Sequence, residues 1–130
     1  MAELTAEDVD LLTGTDYATL VTTNADGSPQ ATITWIDASD GLIWVNTAAG
    51  RVKDRNIRRD PRVAVLATRS DFYNWISVNG TVVETIEGAE ALAHIDALAR
   101  RYDGKPWEPV EGQLRVIFKI RPDAILRHTD

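Results

Sequence analysis

The chain has no cysteine, which removes disulfide cross-links, thiolate zinc sites and cysteine nucleophiles from consideration. Any redox chemistry must then come from a cofactor. Histidine is nearly as scarce: His94 and His128 are the only two, and neither belongs to a cluster at metal-ligand spacing, so no metal site is expected. There is no run of about 18 apolar residues and no charged-then-apolar leader, so the expectation is a cytoplasmic protein without a membrane span. A Gly-x-Ser-x-Gly elbow is missing, and Ser28, Ser39, Ser70 and Ser77 have no evident base, which disfavours a serine hydrolase. No Gly-x-Gly-x-x-Gly follows a strand pattern, so a dinucleotide fold has no support. Paired carboxylates such as Glu7 with Asp8 fall in turns and helix starts, where capping accounts for them.

What is present fits one domain spanning residues 1–130, with 44% apolar and 26% charged residues. The net charge of −6 argues against general nucleic-acid binding. Positive charge is nevertheless concentrated in one place. Between residues 51 and 62 stand six basic residues, Arg51, Lys53, Arg55, Arg58, Arg59 and Arg62, against Asp54 and Asp60. This segment follows a strand pattern ending in Asn46 and Thr47 and a small-residue turn, Ala48-Ala49-Gly50. A helix beginning there exposes its first amides and the positive end of its dipole, and Arg51 and Lys53 add formal charge, which makes a phosphate-sized socket. The competing explanation is a solvated mixed-charge helix, for which Asp54 and Arg58 have the i,i+4 spacing.

The rest reads mostly as strands. A short helix over residues 5–12 has Thr5 as N-cap and Gly14 after it. Residues 17–23 and 30–36 make a hairpin around the turn at 24–29, and a second turn at 37–41 leads into a strand over 42–47, giving a three-stranded meander. The helix after Gly50 stops before Pro61. Strands follow at 62–68 and 75–85, the latter bent or bulged at Gly80. A helix over 87–102 has Leu92, Ile95, Leu98 and Tyr102 on its apolar stripe and His94 on its polar side. A final clear strand runs over 114–120, with a return segment at 121–126. Five or six strands and few helices favour a small closed barrel. Trp35 and Trp44 read as core or interface, whereas Trp75 and Trp107 could stack on a planar ring.

This order of elements resembles the pyridoxamine 5′-phosphate oxidase-like family of split β-barrel flavoproteins, and within it the actinobacterial branch that uses the deazaflavin coenzyme F420. The resemblance is carried by Tyr17-Ala-Thr-Leu-Val-Thr-Thr, Asp26-Gly-Ser-Pro-Gln30, Gly50-Arg-Val-Lys-Asp-Arg-Asn-Ile-Arg-Arg-Asp-Pro-Arg-Val-Ala64 and Trp75-Ile-Ser-Val-Asn-Gly-Thr-Val82. It implies a mainly β, six-stranded antiparallel split barrel and a homodimer with cofactor sites at its interface. Arg51 and Lys53 would hold the cofactor phosphate, Asn46 and Thr47 complete the cradle, and Thr32 and Thr34 touch the ring. Tyr73 and Trp75 would come from the other protomer. The chain ends without the basic substrate segment of true pyridoxamine 5′-phosphate oxidases, which disfavours vitamin B6 phosphates as substrates. The expectation is a reductase that passes hydride from reduced F420 to an unsaturated small molecule, with no catalytic side chain nominated beyond Tyr73 or solvent as proton donor. The alternatives are a flavin mononucleotide (FMN) oxidoreductase and a non-catalytic cofactor carrier.

Overall fold

The computed structural model describes residues 2–129. Seven strands, β1 (Ala18–Thr23), β2 (Pro29–Thr34), β3 (Asp37–Ser39), β4 (Leu42–Ala48), β5 (Arg62–Thr68), β6 (Trp75–Glu87) and β7 (Arg115–His128), are joined with helices α1 (Ala6–Leu12), α2 (Val52–Arg59) and α3 (Ala89–Asp103). They form one antiparallel sheet in the order β2-β1-β5-β6-β7-β4-β3. The fold is the mainly β split barrel that the sequence led us to expect, with one strand more than the anticipated six. The extra strand is β3. Asp40 and Gly41 both adopt positive φ (55° and 78°), which closes a two-residue hairpin and frees Asp37–Ser39 to pair with β4.

Two expectations about connectivity are corrected. The first three strands do not form a meander: β1 and β2 pair as a hairpin, but the chain then crosses to the opposite end of the sheet, where β4 pairs with β7. Local turn chemistry specifies hairpins, whereas this crossover is set by the barrel core. The segment 121–126 is also not a separate return but the second half of β7, paired to β6 along its length. Two register shifts in that pairing, at Asn79/Gly80 and Val82/Glu84, bend the long ribbon. Gly80 is required there, because a Cβ would lie 2.5 Å from Ile120 Cγ2 and 2.7 Å from the Arg121 carbonyl oxygen.

Alternate positions fill the interior: Leu20, Val45, Val65, Val78, Val116, Phe118 and Ile120 belong to one buried cluster, closed by Leu11 and Leu12 of α1. Each fully buried aliphatic or aromatic side chain contributes roughly 1.5–3 kcal/mol. Helix α3 packs on the other face of β4 and β7. Its inward stripe is rotated from the expected one. Ala91, Ile95, Leu98 and Ala99 are buried, Leu92 is exposed, and His94 points inward with its side chain 8% exposed. Alanines let the helix approach closely, and His94 is tolerated there because both ring nitrogens find partners, Asp37 and Asn46.

Candidate functional site

The β4–α2 turn is held open at the start of a helix. Gly50 takes φ 91°, Arg51 occupies the N-cap without a side-chain cap bond, and buried Asp54 accepts from the Gly50 amide (2.8 Å) and from Arg58 Nε (2.8 Å). The Asp54–Arg58 pair is the i,i+4 contact of the solvated-helix explanation, so part of the basic segment is explained by structure alone. Asn56 fastens α2 to the end of β1 by donating to Thr22 Oγ1 (3.0 Å) and Asn24 Oδ1 (2.9 Å). The Ala49 amide donates to the Leu114 carbonyl (2.8 Å), and Ala48 pairs with Arg115, so the turn sits beside the start of β7.

That juxtaposition brings three cations together around a cavity of ≈ 240 Å³: Arg51, Lys53 and Arg115. No carboxylate among the described residues forms an ion pair with any of them, whereas Arg58 pairs with Asp54 and Glu87 and Arg62 with Asp60. Burial, with repulsion from Arg51 and Arg115, holds the Lys53 ammonium below the usual lysine value. Burial and the Arg51 charge lower Arg115 to about 10. Two partly desolvated cations, Lys53 and Arg115, beside exposed Arg51 at a helix N-terminus without a side-chain cap favour an anion of phosphate size. Arg115 escaped the sequence reading as a site residue, because it alternates with Val116 and Phe118 as Lys119 does and carries no local signal that sets it apart.

Of the other expected site residues, Asn46 and Thr34 line the same cavity, together with Tyr17, Ile33, Trp35, Ile95 and Trp107. Thr32 shares the inward face of β2 but does not line it. Thr47 is not brought there either: neighbours on a strand face opposite ways, and Thr47 lies on the core side with its Oγ1 unpartnered. Asn46 acts through a side-chain chain of bonds. Its Oδ1 accepts from Arg115 Nε (3.0 Å), and its Nδ2 donates to the Ala91 carbonyl (2.9 Å) and meets His94 Nδ1 (3.0 Å). His94 Nε2 in turn contacts Asp37 Oδ2 (2.9 Å), and Asp37 also accepts from Arg101 (3.0 Å). Burial works against the Asp37 charge, but the bonds from His94, Arg101 and Ala38 outweigh it and hold the carboxyl below the usual range.

Aromatic rings wall the cavity. Trp35 stacks on Tyr102 (centroids 5.2 Å, planes 6° apart), and Trp107 meets Trp35 edge-on (6.4 Å) and lies under the Arg115 guanidinium (4.9 Å). Trp107 Nε1 is buried without a partner among the described residues, an available donor beside the cations. Trp44 instead packs between His94 and Lys119. Tyr73 and Trp75 lie elsewhere in the chain. Trp75 stacks on His128 (5.4 Å) and, with Leu66, Phe72 and Leu126, lines a separate apolar cavity of ≈ 440 Å³. A larger groove of ≈ 1090 Å³ runs between α1, the 69–76 segment and the end of β7. Its arginines are neutralised, Arg69 by Asp10 and Arg127 by Asp8, so it lacks the charge signature of the β4–α2 cavity.

Fold and cavity together define a split β-barrel protein with a cation-lined pocket at a strand–turn–helix junction. The chain belongs to the pyridoxamine 5′-phosphate oxidase family, whose model matches residues 4–128. It is similar to a solved F420 reductase at 31% identity, covering 90% of this chain and 94% of that one, with a TM-score of 0.80. The conserved hypothetical protein Rv2991 from Mycobacterium tuberculosis is 30% identical over 98% of this chain and 86% of its own, with a TM-score of 0.77. General Stress Protein 26 from Bacillus anthracis shares the fold at 22% identity, 92% and 88% coverage and a TM-score of 0.66. No helix among the described residues is long and apolar enough to cross a membrane.

Proposed function

We propose that the protein is a cytoplasmic oxidoreductase that binds a phosphate-bearing flavin-type cofactor, coenzyme F420 in preference to FMN, and reduces an unsaturated organic substrate. The observation that carries this is the convergence of Arg51, Lys53 and Arg115 with no ion-paired carboxylate among the described residues. The similarity to an F420 reductase supports F420 over FMN. When bound, the cofactor supplies the hydride. The chain's own residues bind and orient it: Arg51, Lys53, Arg115 and the first amides of α2 hold the phosphate. Thr34, Trp35 and Trp107 flank the planar part, and the aromatic wall excludes water.

The same reading includes a homodimer. Cross-strand partners Ile33, Thr19, Leu66, Ser77 and Leu126 form one outward row over β2-β1-β5-β6-β7, in which Ile33, Leu66 and Leu126 are exposed. Phe72 and Tyr73 are 73% and 62% exposed, so this face carries the apolar side chains that a second copy would cover. Ile33 also lines the cation cavity, which puts the cavity at the rim of that face. In the dimer, Tyr73 and Trp75 reach the ring of the neighbouring protomer's cofactor.

Fluorescence titration of the purified protein with F420 and with FMN at matched salt tests the reading. Tight binding of F420, weakened in Lys53→Ala, and oxidation of the reduced cofactor by an enone or other conjugated acceptor are expected. Preference for FMN would replace the cofactor assignment. Tight binding without turnover of any acceptor would make the protein a carrier.

A further inference from the structure

We propose that His94 is a positioning residue for the anion site, holding Arg115 toward the cavity through Asn46 only while its imidazole is neutral. The inference rests on the reading of the Arg51, Lys53 and Arg115 cavity as an anion site. The direction of each bond follows from the two ends of the chain. A guanidinium only donates, so Arg115 Nε fixes Asn46 Oδ1 as acceptor and turns Asn46 Nδ2 toward Ala91 and His94. His94 Nδ1 therefore accepts. Asp37 stays ionised and only accepts, so His94 Nε2 carries the proton. From Arg115 through Asn46 and His94 to Asp37, each bond then joins one donor to one acceptor with a single tautomer of a neutral ring.

A second proton on His94 would place Nδ1–H against the Asn46 amide N–H. The relief is rotation of the Asn46 amide, which offers Oδ1 to His94 but presents Nδ2 to Arg115 Nε, two donors face to face. Arg115 then loses its buried acceptor and keeps only Gln113 (3.1 Å) and the Trp107 ring. Among the described residues Asp37 of β3 bonds His94 directly, Arg101 of α3 pairs with Asp37, Arg115 of β7 is reached through Asn46, and Lys119 of β7, paired with Glu84 of β6, lies on the Trp44 ring that also meets His94. A positive charge added near the cavity would by Coulomb attraction tighten anion binding in acid, whereas loss of the Arg115 orientation weakens it.

Sulfate is a suitable probe, because its charge is constant across the histidine range. Its affinity is measured by ¹H–¹⁵N NMR from about pH 7.5 to about pH 5, following the Arg115 Nε–H signal. The wild type is expected to lose about fivefold in affinity on acidification, the equivalent of one hydrogen bond, as that signal moves. His94→Gln keeps an acceptor for Asn46 on a side chain that takes up no proton, so it should bind at neutral pH and show no such loss. Flat or tighter binding in acid overturns the proposal, as does an unchanged profile in His94→Gln. The wild-type series decides the matter alone if that variant does not fold. No sulfate binding at any pH, or binding indifferent to Lys53→Ala, removes the anion site itself.

Discussion

Lys53 is the residue on which the anion reading can be tested most directly. It is partly buried, repelled by Arg51 and Arg115, and has no ion-pair partner among the described residues. Lys53→Ala is expected to weaken binding of the phosphate-bearing cofactor by roughly 1.5–3 kcal/mol, the range for a charge-assisted hydrogen bond, as read by fluorescence titration. An unchanged dissociation constant removes the assignment. The pH dependence has a definite direction. With its folded value held below that of an ordinary lysine, the ammonium deprotonates earlier as pH rises. Cofactor affinity is therefore expected to fall on the alkaline side sooner than an ordinary lysine allows, and this limb disappears in Lys53→Ala. Arg51 and Lys53 were legible in the sequence because they share one turn. Arg115 was not, because only the pairing of β4 with β7 brings it to them.

At the scale of elements, two local devices hold the barrel's long ribbon and its first helix in place. Gly80 sits at a register shift with no room for a side chain, so Gly80→Ala is expected to destabilise the fold by about 2 kcal/mol, measured by denaturant unfolding. A neutral result would mean that β7 yields at Ile120 and Arg121. Asp8 closes a capping box with Thr5 and also accepts from Arg127 near the end of β7 (2.7 Å). Burial opposes its charge, but the bonds from Arg127 and Thr5 prevail and lower its value. Its stabilisation is therefore present above the ordinary aspartate value of about 3.9 and is lost as pH falls through the lowered one. Asp8→Asn should cost about 1–3 kcal/mol at neutral pH, and thermal melts of the two proteins should converge in strong acid. The Thr5 cap was readable from sequence because it depends on chain neighbours, and the Gly80 bend because a lone glycine inside a strand pattern signals one, whereas the approach of Ile120 and Arg121 that requires it was not. The inward turn of His94 was not, since it depends on Asp37 and Asn46 from other strands.

For the whole molecule, the exposed outward row of Ile33, Leu66 and Leu126 is where the proposed homodimer can be tested. Leu66→Glu places a charge at its centre and is expected to shift the mass measured by light scattering from two chains toward one. Cofactor affinity should fall with it if Tyr73 and Trp75 complete the neighbouring site. A monomeric wild type would end the homodimer reading.

The sequence by itself determined the elements whose causes are local: the capped first helix, the β1–β2 hairpin, the Gly50 turn into α2 and the basic segment after it. It also carried the resemblance to the family, because that motif is contiguous. Tertiary structure decided what distant segments do together: the crossover to β4, the single long β7, the arrival of Arg115 and the inward facing of His94. The reason is physical. Capping, turn geometry and helix dipoles act over a few residues, whereas a cation site and a buried hydrogen-bond chain exist only once strands far apart in sequence lie side by side.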